Sequence, residues 1–292
     1  MTDVLSGRTA FISGGSRGIG LEIARKLVAA GVNIAMIAKT DVPNPKLPGT
    51  IHDAADELRA LGGSVLPIVG DIRDENQVRA AVERTVDTFG GIDLCINNAS
   101  ALNLAAIASL DVKRFDLIQS VNVRGTFVVT QACLPHLRNS DHARVLTLSP
   151  PINLDPVWFG PSGYAVSKYG MSIVTLGVAQ TESQHGIAAN CLWPLTAIAT
   201  AAVQNLLGGE AGVAHSRTPA IVADAALIML RRGSDYTGNT AVVEDVLVEA
   251  GITDLTAYSH IPGQTSFAPD FFIDAGRVHA SSNALSQLKD LV

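Results

Sequence analysis

Tyr164 and Lys168 are the residues of this sequence whose types and spacing most directly suggest acid–base chemistry. Lys168 follows Tyr164 by four positions, so on a helix the two side chains would lie on one face, one turn apart. A free tyrosine loses its proton at about pH 10, and a neighbouring positive charge lowers that pKa. Such a pair could pass a proton to or from a substrate oxygen. The same spacing is common on ordinary surface helices, so the surrounding elements must decide between the two interpretations.

The hydrophobic pattern predicts the elements that would position this pair. Short apolar runs rich in strand-forming residues fall at residues 9–13, 33–38, 64–69, 92–97, 143–149, 187–193 and 240–243. Amphipathic stretches between them fall at residues 18–30, 51–61, 75–89, 112–137, 163–185 and 219–231. Strands that are apolar on both faces and alternate with helices are typical of a parallel sheet with helices on each side. We therefore expect an α/β fold with a doubly wound parallel sheet, forming a single domain over residues 1–252.

Composition narrows the class of protein further. The chain has 292 residues, of which 47% are hydrophobic and 16% charged, enough for a sizeable core. A formal net charge of -6 argues against a nucleic-acid surface and favours a small-molecule partner. Cys95, Cys133 and Cys191 each lie in an apolar run, which predicts buried reduced thiols rather than disulfides or metal ligands. Because no run of about 18 apolar residues and no export signal is visible, a cytoplasmic protein without membrane association is expected.

A glycine-rich turn follows the first predicted strand and opens the first predicted helix. Glycines let the backbone turn sharply and approach a pyrophosphate, which can bind free N–H groups at the helix N-terminus. This strand–turn–helix context favours a dinucleotide site over a tight loop without a ligand. The residues expected to line the site are Gly14, Ser16, Arg17, Gly18, Ile19 and Gly20.

The end of the second predicted strand indicates which dinucleotide would bind. Lys39 and Thr40 stand there, where an NAD-specific site would place a carboxylate. Lys39 and Arg17 could hold a 2'-phosphate, although most such side chains are simply solvated, and we therefore expect NADP(H) as cofactor. Asp71, followed by Ile72 at the end of the third predicted strand, could accept a hydrogen bond from the adenine amino group or cap the next helix.

An ordered set of motifs over residues 6–250 resembles the short-chain dehydrogenase/reductase family. The set comprises the glycine turn, Asn97-Asn98-Ala99, Asn122, and Tyr164 with Lys168. Further segments, among them Pro45-Lys-Leu, Ser149-Pro-Pro and Pro269-Asp-Phe-Phe, are similar to the hydroxysteroid dehydrogenase-like protein 2 branch. That branch carries a C-terminal sterol-carrier domain in animals, and none is expected within these 292 residues. The resemblance implies a Rossmann-type fold, a nicotinamide cofactor, alcohol–carbonyl redox chemistry and a homodimer or homotetramer.

The resemblance also implies a role for each matching residue. Tyr164 would be the acid/base, and Lys168 would lower its pKa and bind the nicotinamide ribose. Asn122 would bind a water in a proton relay, although its amide could instead satisfy a buried carbonyl. Asn98 and Ala99 would border the cofactor, or Asn98 could merely help to turn the chain after a strand.

Two positions depart from the family pattern. Pro151 stands where the family has a serine that binds the substrate oxygen. Ser149 is the nearest hydroxyl and is the predicted substitute, although it could simply end the fifth strand. Pro194-Leu195 replaces the usual Pro-Gly, beside further expected cofactor contacts at Pro194, Thr196 and Ile198.

The sequence therefore predicts an NADP(H)-dependent oxidoreductase that interconverts an alcohol and a carbonyl. Trp158, Phe159 and Trp193 flank predicted strand ends and favour a small apolar substrate, fatty, terpenoid or steroid-like, although aromatic side chains are also ordinary core residues. The alternatives are a non-catalytic NADP(H)-binding sensor or scaffold, and an epimerase or dehydratase on the same fold.

Residues 197–217 have the composition of a mobile lid. Residues 253–292 are expected to be an extension that packs on the domain or a neighbouring subunit and ends, over residues 277–292, in a short helix or disorder.

Overall fold

One parallel sheet organises the protein. The computed structural model describes residues 3–44, 47 and 49–273. The strands are β1 (Thr9–Ser13), β2 (Asn33–Ala38), β3 (Val65–Val69), β4 (Leu94–Asn97), β5 (Arg144–Thr147), β6 (Ala188–Trp193) and β7 (Thr240–Val242). They pair in the order β3-β2-β1-β4-β5-β6-β7, and every neighbouring pair is parallel. The order of connection reverses between β1 and β4, which is the place where open α/β sheets bind ligands.

Helices cover both faces of the sheet. They are α1 (Gly18–Ala29), α2 (Ile51–Ala60), α3 (Glu75–Phe89), α4 (Val112–Gln119), α5 (Gly125–Leu137), α6 (Ser162–Glu182), α7 (Ala201–Leu206), α8 (Gly209–Ala214), α9 (Ala220–Arg231) and α10 (Val243–Glu249). One apolar layer packs α1, α2, α9 and α10 against the sheet, and the other packs α3, α5 and α6. The predicted doubly wound fold is thus confirmed. None of the helices in the described ranges is long and apolar enough to cross a membrane.

The central strands are apolar on both faces because both layers use them. In β1, Ala10 and Ile12 belong to one layer and Phe11 belongs to the other. All five residues of β1 and all six of β6 are buried. Each large apolar side chain withdrawn from water contributes about 1.5–3 kcal/mol. The carboxyl ends of these strands are therefore firmly anchored.

The structure differs from the predicted pattern at three places. A π-helical turn, Ser120–Arg124, interrupts the predicted helix at residues 112–137 and separates α4 from α5. The predicted fifth strand ends at Thr147 rather than at residue 149, because the amide of Ser149 donates to Thr147 O (2.9 Å) and the chain turns out of the sheet. The short helices α7, α8 and α10 were not expected.

The described part of the C-terminal extension runs beside residues 195–217. The amides of Thr218 and His260 donate to Tyr258 O (2.7 Å) and Ser216 O (3.1 Å), respectively. Ala268 donates from its amide to His215 O (2.9 Å) and accepts at its carbonyl from the amide of Ala197 (2.8 Å). Residues 274–292, which include the whole of the expected helical or disordered end at residues 277–292, lie outside the described residues.

Candidate active site

The glycine-rich turn between β1 and α1 packs closely against the end of β4. Asn98 Nδ2 donates to Gly14 O (2.8 Å), and the amide of Ala99 donates to Ser13 Oγ (3.3 Å). Gly14 has φ +74°, and a Cβ on Gly20 would lie 2.5 Å from Asn98 Nδ2, so both positions require glycine. No side chain of the described residues caps the start of α1. This cradle and the free N–H groups beside it fit a dinucleotide pyrophosphate at the switch point of the sheet.

The remaining residues of the turn lie beside a cavity of about 580 Å³. Its wall includes Ser16, Arg17 and Gly18 on one side and Thr200 on the other. Arg17 Nη2 donates to the carbonyl of residue 49 (2.9 Å), and burial lowers the pKa of Arg17. Ile19 packs against the apolar layer that contains α1. The cavity thus lies at the phosphate end of the expected cofactor site, and Tyr164 lies outside it.

The end of β2 and the end of β3 meet through charged side chains. Lys39 Nζ lies 3.3 Å from Asp71 Oδ2, and Arg73 Nε donates to both carboxylate oxygens of Asp71 (3.0 and 2.9 Å). Arg73 above all holds the pKa of Asp71 at about 2. Thr40 is partly buried and its carbonyl accepts from the amide of Ile51 (2.9 Å). The Asp71 carboxylate is therefore enclosed by cations. One of them, Arg73, was not predicted from the sequence, although it lies two positions from Asp71.

Asp71 does not cap the next helix. Asp74 does so, because its carboxylate accepts from the amides of Asn76 (2.9 Å) and Gln77 (3.2 Å). The capping alternative for Asp71 was therefore wrong. Ile72, next in the chain, is buried and its side chain fits over Gly125, where a Cβ would lie 2.5 Å from Ile72 Cδ1.

Tyr164 and Lys168 lie one turn apart on α6, and only 5% and 2% of their surfaces are exposed. Lys168 Nζ donates to Leu148 O (2.9 Å), just past the end of β5, and lies 5.0 Å from the ring centroid of Trp193. Burial lowers the pKa of Lys168 to about 7, against the opposing charge of Asp270. Burial also raises the pKa of Tyr164, and Asp270 adds to this shift. In this closed arrangement the raised pKa keeps the Tyr164 hydroxyl protonated.

Asn122 ties the loop after β4 to the helix that carries Tyr164. It lies in the π-helical turn and is fully buried. Its Oδ1 accepts from the amide of Ala101 (2.7 Å), and its Nδ2 donates to Ala101 O and to Ser167 Oγ (both 2.9 Å). Ser167 Oγ in turn donates to Tyr164 O (2.8 Å). The Asn122 side-chain amide thus satisfies the carbonyl of the partly buried Ala101, a contact of the structural kind considered as the alternative for this residue.

Ser149 lies at the carboxyl end of β5, as expected, but its hydroxyl is sealed. The residue is fully buried, and within the described part of the chain Ser149 Oγ has no hydrogen-bond partner. It lies close enough to the Cys191 thiol to lower the pKa of that group, which burial raises. The structure therefore does not join this hydroxyl to Tyr164 or Lys168 by a hydrogen bond.

The loop after β6 presents the last set of expected cofactor residues. Pro194, Thr196 and Ile198 are all buried. The amide of Leu195 and the hydroxyl of Thr196 both point to the carboxylate of Glu244, at 2.8 and 3.4 Å. Glu244 was not among the predicted residues, because it lies in α10, a helix that the hydrophobic pattern did not indicate.

Residues 267–273, here called the closing segment, cover the Tyr164 side of this loop. The amide of Asp270 donates to Leu195 O (3.0 Å), and Trp193 Nε1 donates to Phe271 O (2.8 Å). The ring centroids of Phe271 and Phe272 lie 6.2 and 5.8 Å from that of Tyr164. Burial raises the pKa of Asp270 to about 7, and the charge of Lys168 opposes this.

Two of the three predicted pocket aromatics join this cluster. Trp158 and Trp193 are 7% exposed and their rings contact Phe272, with centroids 5.9 and 6.2 Å apart. Phe159 is 46% exposed and lies outside the cluster. The contribution of the closing segment was missed because its contacts join residues about a hundred positions apart, which no local pattern reveals.

The fold and these residues define the class of protein. Residues 8–210 match the family model for short chain dehydrogenases, and the chain belongs to that family. It is similar to hydroxysteroid dehydrogenase-like protein 2 of Xenopus tropicalis, with 48% identity over 274 residues. That alignment covers 94% of this chain but 65% of the relative, so the chain spans slightly less than two thirds of that longer protein. Both levels of the family resemblance are confirmed.

Solved structures agree with this assignment. A short chain dehydrogenase from Mycobacterium thermoresistibile is 54% identical, with a TM-score of 0.88 over 92% of this chain and 96% of that chain. A short chain dehydrogenase from Burkholderia cenocepacia, solved in complex with NADP, is 26% identical, with a TM-score of 0.70 over 82% of this chain and 96% of that one.

Proposed function

We propose that this chain is an NADP(H)-dependent oxidoreductase that interconverts an alcohol and a carbonyl group on a small apolar substrate. Family and fold support an oxidoreductase. The observation that carries the proposal is the buried Tyr164–Lys168 pair, held beside the end of β5 by the bond from Lys168 Nζ to Leu148 O (2.9 Å). The pair therefore lies at the same edge of the sheet as the glycine cradle.

The charges at the adenosine end favour NADP(H) over NAD(H). No carboxylate ends β2, and the one at the end of β3, Asp71, is already paired with Arg73 and Lys39. The Lys39 side chain is 61% exposed and would turn from Asp71 toward a 2'-phosphate. The NADP complex of the Burkholderia cenocepacia relative supports the same choice.

Tyr164 would serve as the acid in carbonyl reduction. The bound nicotinamide would supply the hydride that reaches the carbonyl carbon. Tyr164 would give its proton to the carbonyl oxygen, and in alcohol oxidation the phenolate would take a proton back. Lys168, with a pKa of about 7, would stabilise that phenolate and bind the nicotinamide ribose. Asn122 would hold the loop after β4 in a fixed position relative to α6.

The aromatic surroundings of Tyr164 favour an apolar substrate. Trp158, Trp193, Phe271 and Phe272 are all less than a tenth exposed and cluster around the phenol. Aromatic walls bind flat or aliphatic molecules through contact area. A fatty, terpenoid or steroid-like alcohol or carbonyl fits this lining, and the name of the frog relative agrees with the last class.

The substitution Tyr164→Phe tests this proposal because it removes only the hydroxyl. Turnover of a carbonyl substrate with NADPH should fall by about 10²–10⁴-fold, while NADPH affinity stays unchanged. Steady-state kinetics and a fluorescence titration with NADPH measure the two quantities. Tyr169→Phe is the matched control, because Tyr169 donates to Asn153 O (2.5 Å) outside the acid–base pair. Unchanged turnover in the Tyr164 variant would contradict the proposal.

One observation favours a second candidate, a non-catalytic NADP(H)-binding sensor or scaffold. Ser149 Oγ is sealed, and the prolines that follow it carry no hydroxyl to hold a substrate oxygen. If the protein is a scaffold, the wild-type chain would bind NADPH and show no turnover with any carbonyl or alcohol. The same assays therefore separate the two functions.

A further inference from the structure

The connection between β6 and α7 depends on a buried carboxylate. Glu244 lies in the first turn of α10 and is 6% exposed. Its Oε2 accepts from the amide of Leu195 (2.8 Å), and its Oε1 accepts from Thr196 Oγ1 (3.4 Å). Leu195 stands where the family has glycine. The side chain of Glu244 thus binds the two residues that follow Pro194 through both of its oxygens.

A buried carboxylate is costly, so its retention calls for a reason. Burial raises the pKa of Glu244, and the amide of Leu195 is the largest of the bonds that oppose this shift. Arg217 ion-pairs with it, since Arg217 Nε lies 3.8 Å from Glu244 Oε1. An apolar residue of the same size would often be neutral or stabilising at such a position. Packing alone therefore does not account for a glutamate here.

The same carboxylate also links the loop to its two neighbours. Arg217 donates from its amide to Ala197 O (2.9 Å), and its guanidinium lies 4.0 Å from the ring centroid of Phe267 in the closing segment. The amide of Asp270 donates to Leu195 O (3.0 Å). Glu244 therefore binds the middle one of three segments joined by isolated β-bridges, residues 195–199, with residues 215–217 on one side and 268–270 on the other.

We infer that Glu244 is a positioning residue for the nicotinamide half of the cofactor, acting through Leu195 and Thr196. Glu244 would fix the orientation of the Leu195 amide and the Thr196 hydroxyl, and through them the loop after β6. The inference rests on the proposed function, since it requires a nicotinamide dinucleotide to bind there.

Two ligands separate a positioning role from a merely structural one. NADPH spans both ends of the site, whereas adenosine 2',5'-bisphosphate carries only the phosphorylated adenosine end. The variant Glu244→Met keeps the size of the side chain and removes both acceptors. We expect it to bind NADPH about tenfold more weakly and the bisphosphate unchanged, because the Leu195 amide loses its partner. Isothermal titration measures both affinities, and thermal unfolding checks the fold.

Further variants complete the experiment. Glu244→Gln should stay within about threefold of wild type, since its amide oxygen can still accept from Leu195. Glu249→Met, on the exposed side of the same helix, is the matched control and should change neither affinity. If the Met variant does not fold, Glu244→Asp replaces it in the experiment. The shorter aspartate side chain lies farther from the Leu195 amide, so this variant should show the same selective loss of NADPH affinity.

The outcomes distinguish this inference from the proposed function. Equal losses for both ligands, or no loss of NADPH affinity, would overturn the positioning role alone. Failure of the wild-type chain to bind NADPH would overturn the proposed function and this inference with it.

Discussion

Burial shifts the pKa values of two residues at the centre of the site, Tyr164 and Lys168, away from their values in water. Lys168 lies 2% exposed with its ammonium on a carbonyl and near an indole ring, and its pKa falls from 10.5 to about 7. Burial of such a residue opposes folding whenever it is charged, and the proton-transfer role proposed for Lys168 would account for its presence. The sequence was enough to identify Tyr164, Lys168 and Asn122 as candidates, because their order and spacing are typical of one protein family. The accessibility of the Ser149 hydroxyl could not be predicted from the sequence. It depends on how Cys191 and the residues around it, which belong to other elements, pack against Ser149.

Replacing Lys168 by methionine should stabilise the protein in a pH-dependent way. Between pH 7 and 10.5 the folded chain gives up the proton of Lys168 while the unfolded chain keeps it, so wild-type stability rises with pH across this window. The gain in Tm of Lys168→Met over wild type should be a few degrees at about pH 7 and should vanish toward pH 10.5. Thermal unfolding at several pH values measures it. Lys113→Met, at an exposed position, is the control, and a gain that is constant with pH would contradict the account.

At the scale of elements, the closing segment is the part that shapes the site most and that the sequence revealed least. Phe272 is 1% exposed among aromatic rings and has φ +67°, the one non-glycine residue in the described ranges with positive φ. The left-handed region costs a residue with a Cβ about 1 kcal/mol or more. Aromatic packing on Trp158, Tyr164 and Trp193 offsets this cost. The segment is thus held in place by the residues that it covers.

This backbone conformation predicts an unusual order of stability between two variants. Both Phe272→Ala and Phe272→Gly lose the aromatic packing, at a cost of about 3–5 kcal/mol. Glycine also relieves the positive φ, so the glycine variant should be as stable as the alanine variant or up to about 1 kcal/mol more stable. At Phe271, which has no positive φ, alanine should be the more stable of the pair. Urea unfolding of the four variants checks this, and alanine leading at both positions would refute the account.

Most of the strands and longer helices could be predicted, and the exceptions have identifiable causes. β1 and β6 are apolar throughout because helices cover both faces, and this pattern is visible in the sequence. α7 and α8 have six residues each, too few for a helical period to emerge. α10 begins directly after β7, so its seven residues read as a continuation of the strand. The π-helical turn at Asn122 adds a residue to a helix without changing its composition.

At the scale of the whole molecule, one sheet edge brings together residues from every part of the described chain. The glycine cradle comes from the first 20 residues, the acid–base pair from α6 and the aromatic cover from residues 267–273. Exposed apolar side chains such as Phe127 and Ile173 remain on α5 and α6, and a homodimer or homotetramer through these helices stays a prediction. A cytoplasmic location also stays a prediction.

Transfer of deuterium from the cofactor to a product tests the central claim most directly. The wild-type chain would be mixed with NADPH deuterated at both positions of nicotinamide C4 and with a long-chain aldehyde, a terpenoid ketone or a steroid ketone. The account predicts an alcohol that carries deuterium on its carbinol carbon, detected by mass spectrometry, and a much smaller yield from Tyr164→Phe. NADPH that binds tightly while no compound in the panel gains deuterium would contradict it.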